Sequence, residues 1–118
     1  HEPDAKLDAF PATESGIASL ETLLPLTLKL VQEGSMDLVT ALRALTATPA
    51  RIMGLNAGTL SIGSLADVVV FDPEESWSPG PETWLSQGRN SPYWGATLKG
   101  RVRVTLVGGK TVFERGIA

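Results

Sequence analysis

The stretch from Leu45 to Pro73 constrains this chain more than any other. It joins a short helix signal, two glycine turns and the unbroken apolar run Val68-Val69-Val70-Phe71, closed by Asp72 and Pro73. A run that is apolar on both faces predicts a strand covered from both sides. The sequence before this stretch reads as helical, and the sequence after it as turns and strands. The chain is therefore expected to be α-then-β. Asp67 and Asp72 bracket the run, where acids usually serve as turn and cap residues.

Upstream, residues 1–16 show neither helical nor strand period. Two prolines, a glycine and four acids make them a loop. Leu20, Leu23, Leu24, Leu28 and Val31 then fall at helical spacing up to Gly34, with Ser19 as the expected N-cap. Pro25 lies too deep for a first-turn proline counted from Ser19, so either a kink or a later start is expected. Leu26 and Leu30 widen the apolar face, as in a helix buried between layers. A second helix is expected from about Ser35, with Asp37 in its first turn. Its inward stripe is Leu38, Ala41, Leu42 and Leu45, and Arg43 faces solvent. Thr48 should cap a third, very short helix with Pro49 first, Arg51 exposed, Ile52 and Met53 inward, and Gly54 as the stop. Met53 reads as a core filler rather than a ligand.

Downstream, Gly58–Gly63 reads as a short strand between turns, followed by the strand from Asp67 to Asp72. Residues 73–95 are rich in Pro, Gly and Ser, yet carry Trp77, Trp84, Trp94 and Tyr93. They are expected to form an ordered excursion tacked down by aromatic packing. In the last stretch Val102, Val104 and Leu106 alternate with Arg101, Arg103 and Thr105. Val107-Gly108-Gly109-Lys110 turns the chain, and Thr111 to Phe113 return as a hairpin. Arg101, Arg103, Lys110 and Arg115 read as a solvated face rather than a phosphate site.

A chain of 118 residues is one domain or a piece of one. Its net charge of -3 offers nothing to hold nucleic acid or an anionic membrane. It has no cysteine, no apolar run long enough to span a bilayer and no signal pattern, so a cytoplasmic location is expected. It begins at His1 rather than Met, as after a tag or an arbitrary start, or after loss of something upstream. There is one His, no His-x-His, no phosphate-cradling loop and no dinucleotide fingerprint. A catalytic zinc needs three protein ligands, whereas the sequence offers His1 with Asp4 as its nearest helper. Ser15-Gly16, ahead of a helix, reads either as a donor of backbone N–H groups to an anion or carbonyl, or as an ordinary loop.

Five segments carry a resemblance. They are Ser-Gly-Ile-Ala-Ser-Leu-Glu-Thr-Leu-Leu-Pro-Leu (15–26), Thr-Pro-Ala-Arg-Ile-Met-Gly-Leu (48–55), and Gly-Thr-Leu-Ser-Ile-Gly-Ser-Leu-Ala-Asp-Val-Val-Val-Phe-Asp (58–72). Arg-Asn-Ser-Pro-Tyr-Trp-Gly (89–95) and Leu-Lys-Gly-Arg-Val-Arg-Val-Thr-Leu-Val-Gly-Gly-Lys-Thr-Val-Phe (98–113) complete them. Residues 14–113 resemble the C-terminal third of a long bacterial dihydroorotase, a cyclic amidohydrolase. Pro-Ala-Arg and Gly-x-Leu-Ala-Asp-Val also occur in hydantoinases and allantoinases, whereas Gly-Ile-Ala-Ser-Leu-Glu-Thr and Asn-Ser-Pro-Tyr-Trp-Gly point to dihydroorotase.

The resemblance implies an α/β fold: the C-terminal fragment of a metal-dependent (β/α)8 barrel hydrolase. Residues 1–55 would be an active-site loop, the last barrel helix and bridging helices. Residues 56–118 would be strands of a small β-sandwich built from both chain ends. The family interconverts carbamoyl-aspartate and dihydroorotate in pyrimidine synthesis, using zinc in the full-length protein and a metal-bound hydroxide. None of that metal is expected on this chain alone, which should be inactive. Substrate contacts are implied at His1, Asp4, Ser15 and Gly16. Asp4 stands where a His is expected, and there an anion would oppose an anionic substrate. An aromatic residue is common in the family where Ser15 stands. The implied partners are the missing barrel portion or another copy of the chain. In an inactive dihydroorotase-like subunit, the partner would be aspartate carbamoyltransferase.

Overall fold

The computed structural model describes residues 4, 7, 9–12 and 15–116. A 3-10 turn at Phe10–Ala12 precedes three helices, α1 (Leu23–Gln32), α2 (Leu38–Leu45) and α3 (Ala47–Ile52). Three strands follow, β1 (Val68–Trp77), β2 (Leu98–Val107) and β3 (Lys110–Glu114), in one antiparallel sheet of that spatial order. The α-then-β order is as the sequence implies.

The helix ends follow local chemistry, with shifts of a few residues. α1 starts late because Thr22 closes a turn ahead of it: its N–H and hydroxyl both donate to the Ser19 carbonyl, at 3.1 and 3.2 Å. Ser19 thus contributes a carbonyl and not the expected side-chain cap. Pro25 becomes the third helical residue, where its missing N–H is one that the first turn leaves unpaired anyway. At the other end Ser35 N–H donates to the Leu30 carbonyl and Gly34 N–H to that of Val31, closing α1. Asp37 is the cap of α2 rather than a first-turn residue, its Oδ1 accepting from Thr40 N–H at 2.7 Å. The hydrogen bonds from Thr40 hold its carboxyl below the usual carboxylate range. Thr48 lies inside α3, not at its cap, and Pro49 is again third. Ile52 and Met53 point outward, at 74% and 71% exposure, contrary to the inward reading. Ala50 is the buried residue, because the backbone at Gly58 passes against Ala47 and Ala50 on that face.

Gly58–Gly63 forms no strand. No strand among the described residues pairs with it, and Leu60 and Ile62 stand open to solvent. β1, by contrast, runs past the expected stop at Pro73. Three residues of β1, Pro73 to Glu75, oppose the single Gly100 of β2, a bulge that absorbs the proline. Pro73 has no register partner on β2, so its absent N–H removes no ladder bond there. Val69 and Val70 are about half exposed, so the cover expected on both faces of this run is incomplete. The helical cover comes from α1, which lies on β2 with Pro25 and Leu28 buried against Gly100.

The hairpin turn falls at Gly108 and Gly109, whose φ values of 56° and 80° suit a two-residue turn. Asp67 Oδ1 accepts from Gly108 N–H at 2.8 Å, the turn role expected of it. Of the basic residues expected as a solvated face, Lys110 is exposed, but the three arginines are half-buried and paired. Arg115 donates to both carboxylate oxygens of Glu75 (2.8 and 2.6 Å) and to the Val102 carbonyl. Arg103 reaches Asp72 and Glu75, and Arg101 also approaches Glu75. The Arg115 hydrogen bonds, with these charges, hold the Glu75 carboxyl below its usual range. The aromatic anchors do pack as expected. Trp84 is buried edge-on to Trp94 at 5.8 Å, and Trp77 donates to the Gly100 carbonyl beneath the Arg101 guanidinium. Among the described residues no helix is long and apolar enough to cross a membrane.

Candidate functional site

The turn before α1 brings the chain from Ser15 to Leu20 alongside the loop from Trp84 to Asn90. Between them lies an open cleft of about 650 Å³, lined by Ser15 to Leu20 on one side and by Ser86, Gln87, Gly88 and Asn90 on the other. The two walls are tied at one end by Asn90. Its side-chain amide donates to the Gly16 carbonyl and its own carbonyl accepts from Ala18 N–H, both long at 3.4 Å. Gly88 packs so closely on Ala18 that a Cβ there would press on the alanine methyl at 3.3 Å.

At the other end the tie is charged. Glu21, half-buried in the turn before α1, accepts from Leu85 N–H at 2.9 Å and from Ser86 N–H at 2.6 Å through one carboxylate oxygen. Hydrogen bonds to a charged acceptor contribute about 1.5–3 kcal/mol each where water is kept away. Trp84 closes the same loop from inside, its indole N–H donating to the Gly88 carbonyl at 2.6 Å.

The cleft wall is uncharged and mixed, with Ile17, Ala18 and Leu20 as its apolar share. It offers the hydroxyls of Ser15, Ser19 and Ser86, the amides of Gln87 and Asn90, and backbone groups, with no titratable side chain among its lining residues. Such a wall can hold an uncharged ring by hydrogen bonds and apolar contact, and it carries no titratable group to activate its serine hydroxyls. Among the described residues no three His, Cys, Asp or Glu side chains come together to hold a metal ion. The described residues therefore do not fit a zinc centre, and no chemical step can be assigned to one here. A second cleft of about 410 Å³ lies between α1 and the sheet. It is walled by Leu24, Pro25, Trp77, Phe113 and the arginines 101 and 115, and shares Leu20 and Ser86 with the first.

Of the residues singled out in the sequence, Ser15 and Gly16 meet in the neutral cleft. Asp4 is exposed and lines neither cleft, its carbonyl accepting from Leu7 N–H. His1 lies outside the described residues. Sequence reasoning missed Asn90, Ser86 and Glu21 as site residues. Asn90 sits inside the segment 89–95 and Glu21 inside 15–26, both of which carried the resemblance. The signal was present, but pairing them requires knowing that two loops more than sixty residues apart touch.

Residues 5–112 match the sequence profile described as "Amidohydrolase family". A "Dihydroorotase-like protein" of Pseudomonas aeruginosa is 51% identical over 114 residues, covering 97% of this chain and 27% of that protein. A "Dihydroorotase" of Geobacter sp. is 42% identical over 116 residues, 98% of this chain and 27% of its own. In three dimensions the chain is similar to a structure of D-hydantoinase. The TM-score is 0.83 at 27% identity, over 96% of this chain and 25% of that one. The chain thus spans about a quarter of the length of the curated relatives it matches. With the match running through helices, cleft loops and sheet alike, the chain belongs to the amidohydrolase family.

Proposed function

We propose that this chain is the C-terminal portion of a dihydroorotase, a cyclic amidohydrolase that interconverts N-carbamoyl-aspartate and dihydroorotate. The observation that carries the reading is the neutral cleft in which Asn90 holds the Ser15-Gly16 wall. A cyclic amide ring has N–H donors and carbonyl acceptors but no charge on the ring itself. A wall of hydroxyls, carboxamides and backbone groups set among the apolar Ile17, Ala18 and Leu20 complements it without placing a charge against it. The identity to proteins named dihydroorotase supports the same ring.

In this reading α1 is the last barrel helix, and α2 and α3 bridge outward from it, within residues 1–55. The three strands, within residues 56–118, are the chain's share of a composite sandwich. Metal ligands and the reacting groups would come from the remaining length that the relatives possess. Alone the chain would bind ring and not open it. Two observations support a missing body. Large apolar side chains such as Leu20, Leu60 and Ile62 are exposed. The radius of gyration is 16.4 Å, where a compact chain of this length has about 13.5 Å. Such surfaces call for the barrel portion or a second copy of the chain as cover.

A second reading is an inactive dihydroorotase-like subunit that scaffolds aspartate carbamoyltransferase. The 51% identity to a protein named dihydroorotase-like favours it, as does Asp4 in place of a histidine. Steady-state turnover of dihydroorotate, hydantoin and allantoin by the complete polypeptide separates the readings. Preference for dihydroorotate supports the first. Preference for hydantoin or allantoin moves the protein to another ring, and turnover of none of the three supports the scaffold.

A further inference from the structure

Beside the neutral cleft, Glu21 ties two loops that are far apart in sequence, accepting from two successive backbone N–H groups. Its carboxylate lies outside the cleft lining but fixes Ser86, the first residue of the opposite wall, and Leu85 just before it. From there the loop is rigid by its own means: Trp84 is buried and donates to Gly88, and Gly88 abuts Ala18. Asn90, at the far end of the same loop, donates to the Gly16 carbonyl. Glu21 also sits only five residues past Gly16, on the turn that leads into α1. One carboxylate oxygen therefore ties the turn before α1 to the loop that forms the opposite wall.

We infer that Glu21 is a positioning residue for the ring-binding cleft, acting through Leu85 and Ser86 on Asn90 and thereby on the Ser15-Gly16 wall. The inference rests on the function proposed above for its kinetic consequence, but not for its structural one. Glu21 lines the second cleft and not the neutral one, so its part in the neutral cleft is to hold Leu85 and Ser86 as an acceptor. Its role needs an acceptor oxygen rather than a negative charge, so glutamine, which keeps a carbonyl oxygen on a side chain of the same length, should substitute for it. Alanine leaves two N–H groups without their partner and frees the loop to drift.

The test compares Glu21→Ala and Glu21→Gln by two readouts. In amide exchange on the 118-residue chain, Glu21→Ala should speed exchange across residues 15–19 and 85–90 by about tenfold or more. Exchange in the hairpin, residues 98–114, should be unchanged, which controls for loss of fold. Glu21→Gln should stay close to the wild-type pattern. In the complete polypeptide, Glu21→Ala should raise KM for dihydroorotate about tenfold with kcat within about twofold, and Glu21→Gln should restore KM to within about threefold of wild type. Unchanged exchange at 15–19 and 85–90 in Glu21→Ala overturns the inference, whatever the activity. Equal impairment by both variants, with kcat falling as far as kcat/KM, overturns it as well. If the wild type turns over no dihydroorotate, the proposed function fails and the exchange result still decides the role of Glu21.

Discussion

Replacing Gly100 with alanine tests the packing of the helix on the sheet. Gly100 is buried at the bulge of β2 with φ at +100°, and a Cβ built there would overlap the Cδ1 of Leu28 on α1. Two costs follow. A side chain held in left-handed backbone destabilises by about 1–2 kcal/mol. Overpacking a filled core site adds about 1–3 kcal/mol. The sum, about 2–5 kcal/mol, corresponds to a fall of about 1–2.5 M in the urea midpoint for a slope near 2 kcal/mol/M. Tryptophan fluorescence should report it, since Trp77 donates to the Gly100 carbonyl itself. Leu28→Ala alone should cost about 2–5 kcal/mol, because Leu28 is only 2% exposed. In the double variant the new methyl enters space that Leu28 has left, so of the two Gly100→Ala costs only the backbone strain should persist, on top of the loss from Leu28→Ala. The double variant should thus be more stable than the sum of the singles implies by about 1–3 kcal/mol. Additivity within about 0.5 kcal/mol would refute the claim that Gly100 exists to admit Leu28.

Three further outcomes are expected. Glu75, whose carboxyl is held below its usual value of 4.5 chiefly by Arg115, stabilises the fold above that value and loses its contribution as pH falls through its folded pKa. Glu75→Gln should therefore be less stable than wild type at pH 7, with the gap closing on acidification in urea titrations at stepped pH. Asp37→Ala should reduce α2 helicity by circular dichroism at neutral pH, with Asp37→Asn retaining most of it, because the cap needs an oxygen facing Thr40 N–H. Asn90→Ala should raise KM of the complete polypeptide with little change in kcat, since the carboxamide holds the Gly16 wall and meets no reacting atom.

The parts of this fold that were legible in the sequence are those whose causes are local. Gly34, the Gly108-Gly109 turn and the order of helices before strands follow from conformational preferences and periodicity within a few residues. Asp67 was read correctly as a turn residue because a short carboxylate beside a strand end finds a nearby N–H. The failures are tertiary. Nothing within Gly58–Gly63 says that no strand will pair with it, and alternating leucine and isoleucine look the same with or without a neighbour. Ile52 and Met53 face outward because the loop at Gly58 already occupies the other side of α3. The arginines read as solvated because their acceptor, Glu75, reaches them only through a bulge that no pattern announces. At the site, Ser15-Gly16 was visible by resemblance, whereas Asn90 and Glu21 became site residues only when two distant loops met.

The central claim is that the cleft between residues 15–20 and 86–90 receives the ring of a cyclic amide. It is tested most directly by amide exchange of the complete polypeptide with and without saturating dihydroorotate. The account predicts slowed exchange at Gly16 to Ala18 and at Ser86 to Asn90, with the hairpin at 98–114 unchanged. Protection that falls instead on the cleft between α1 and the sheet, or on neither cleft, would contradict it.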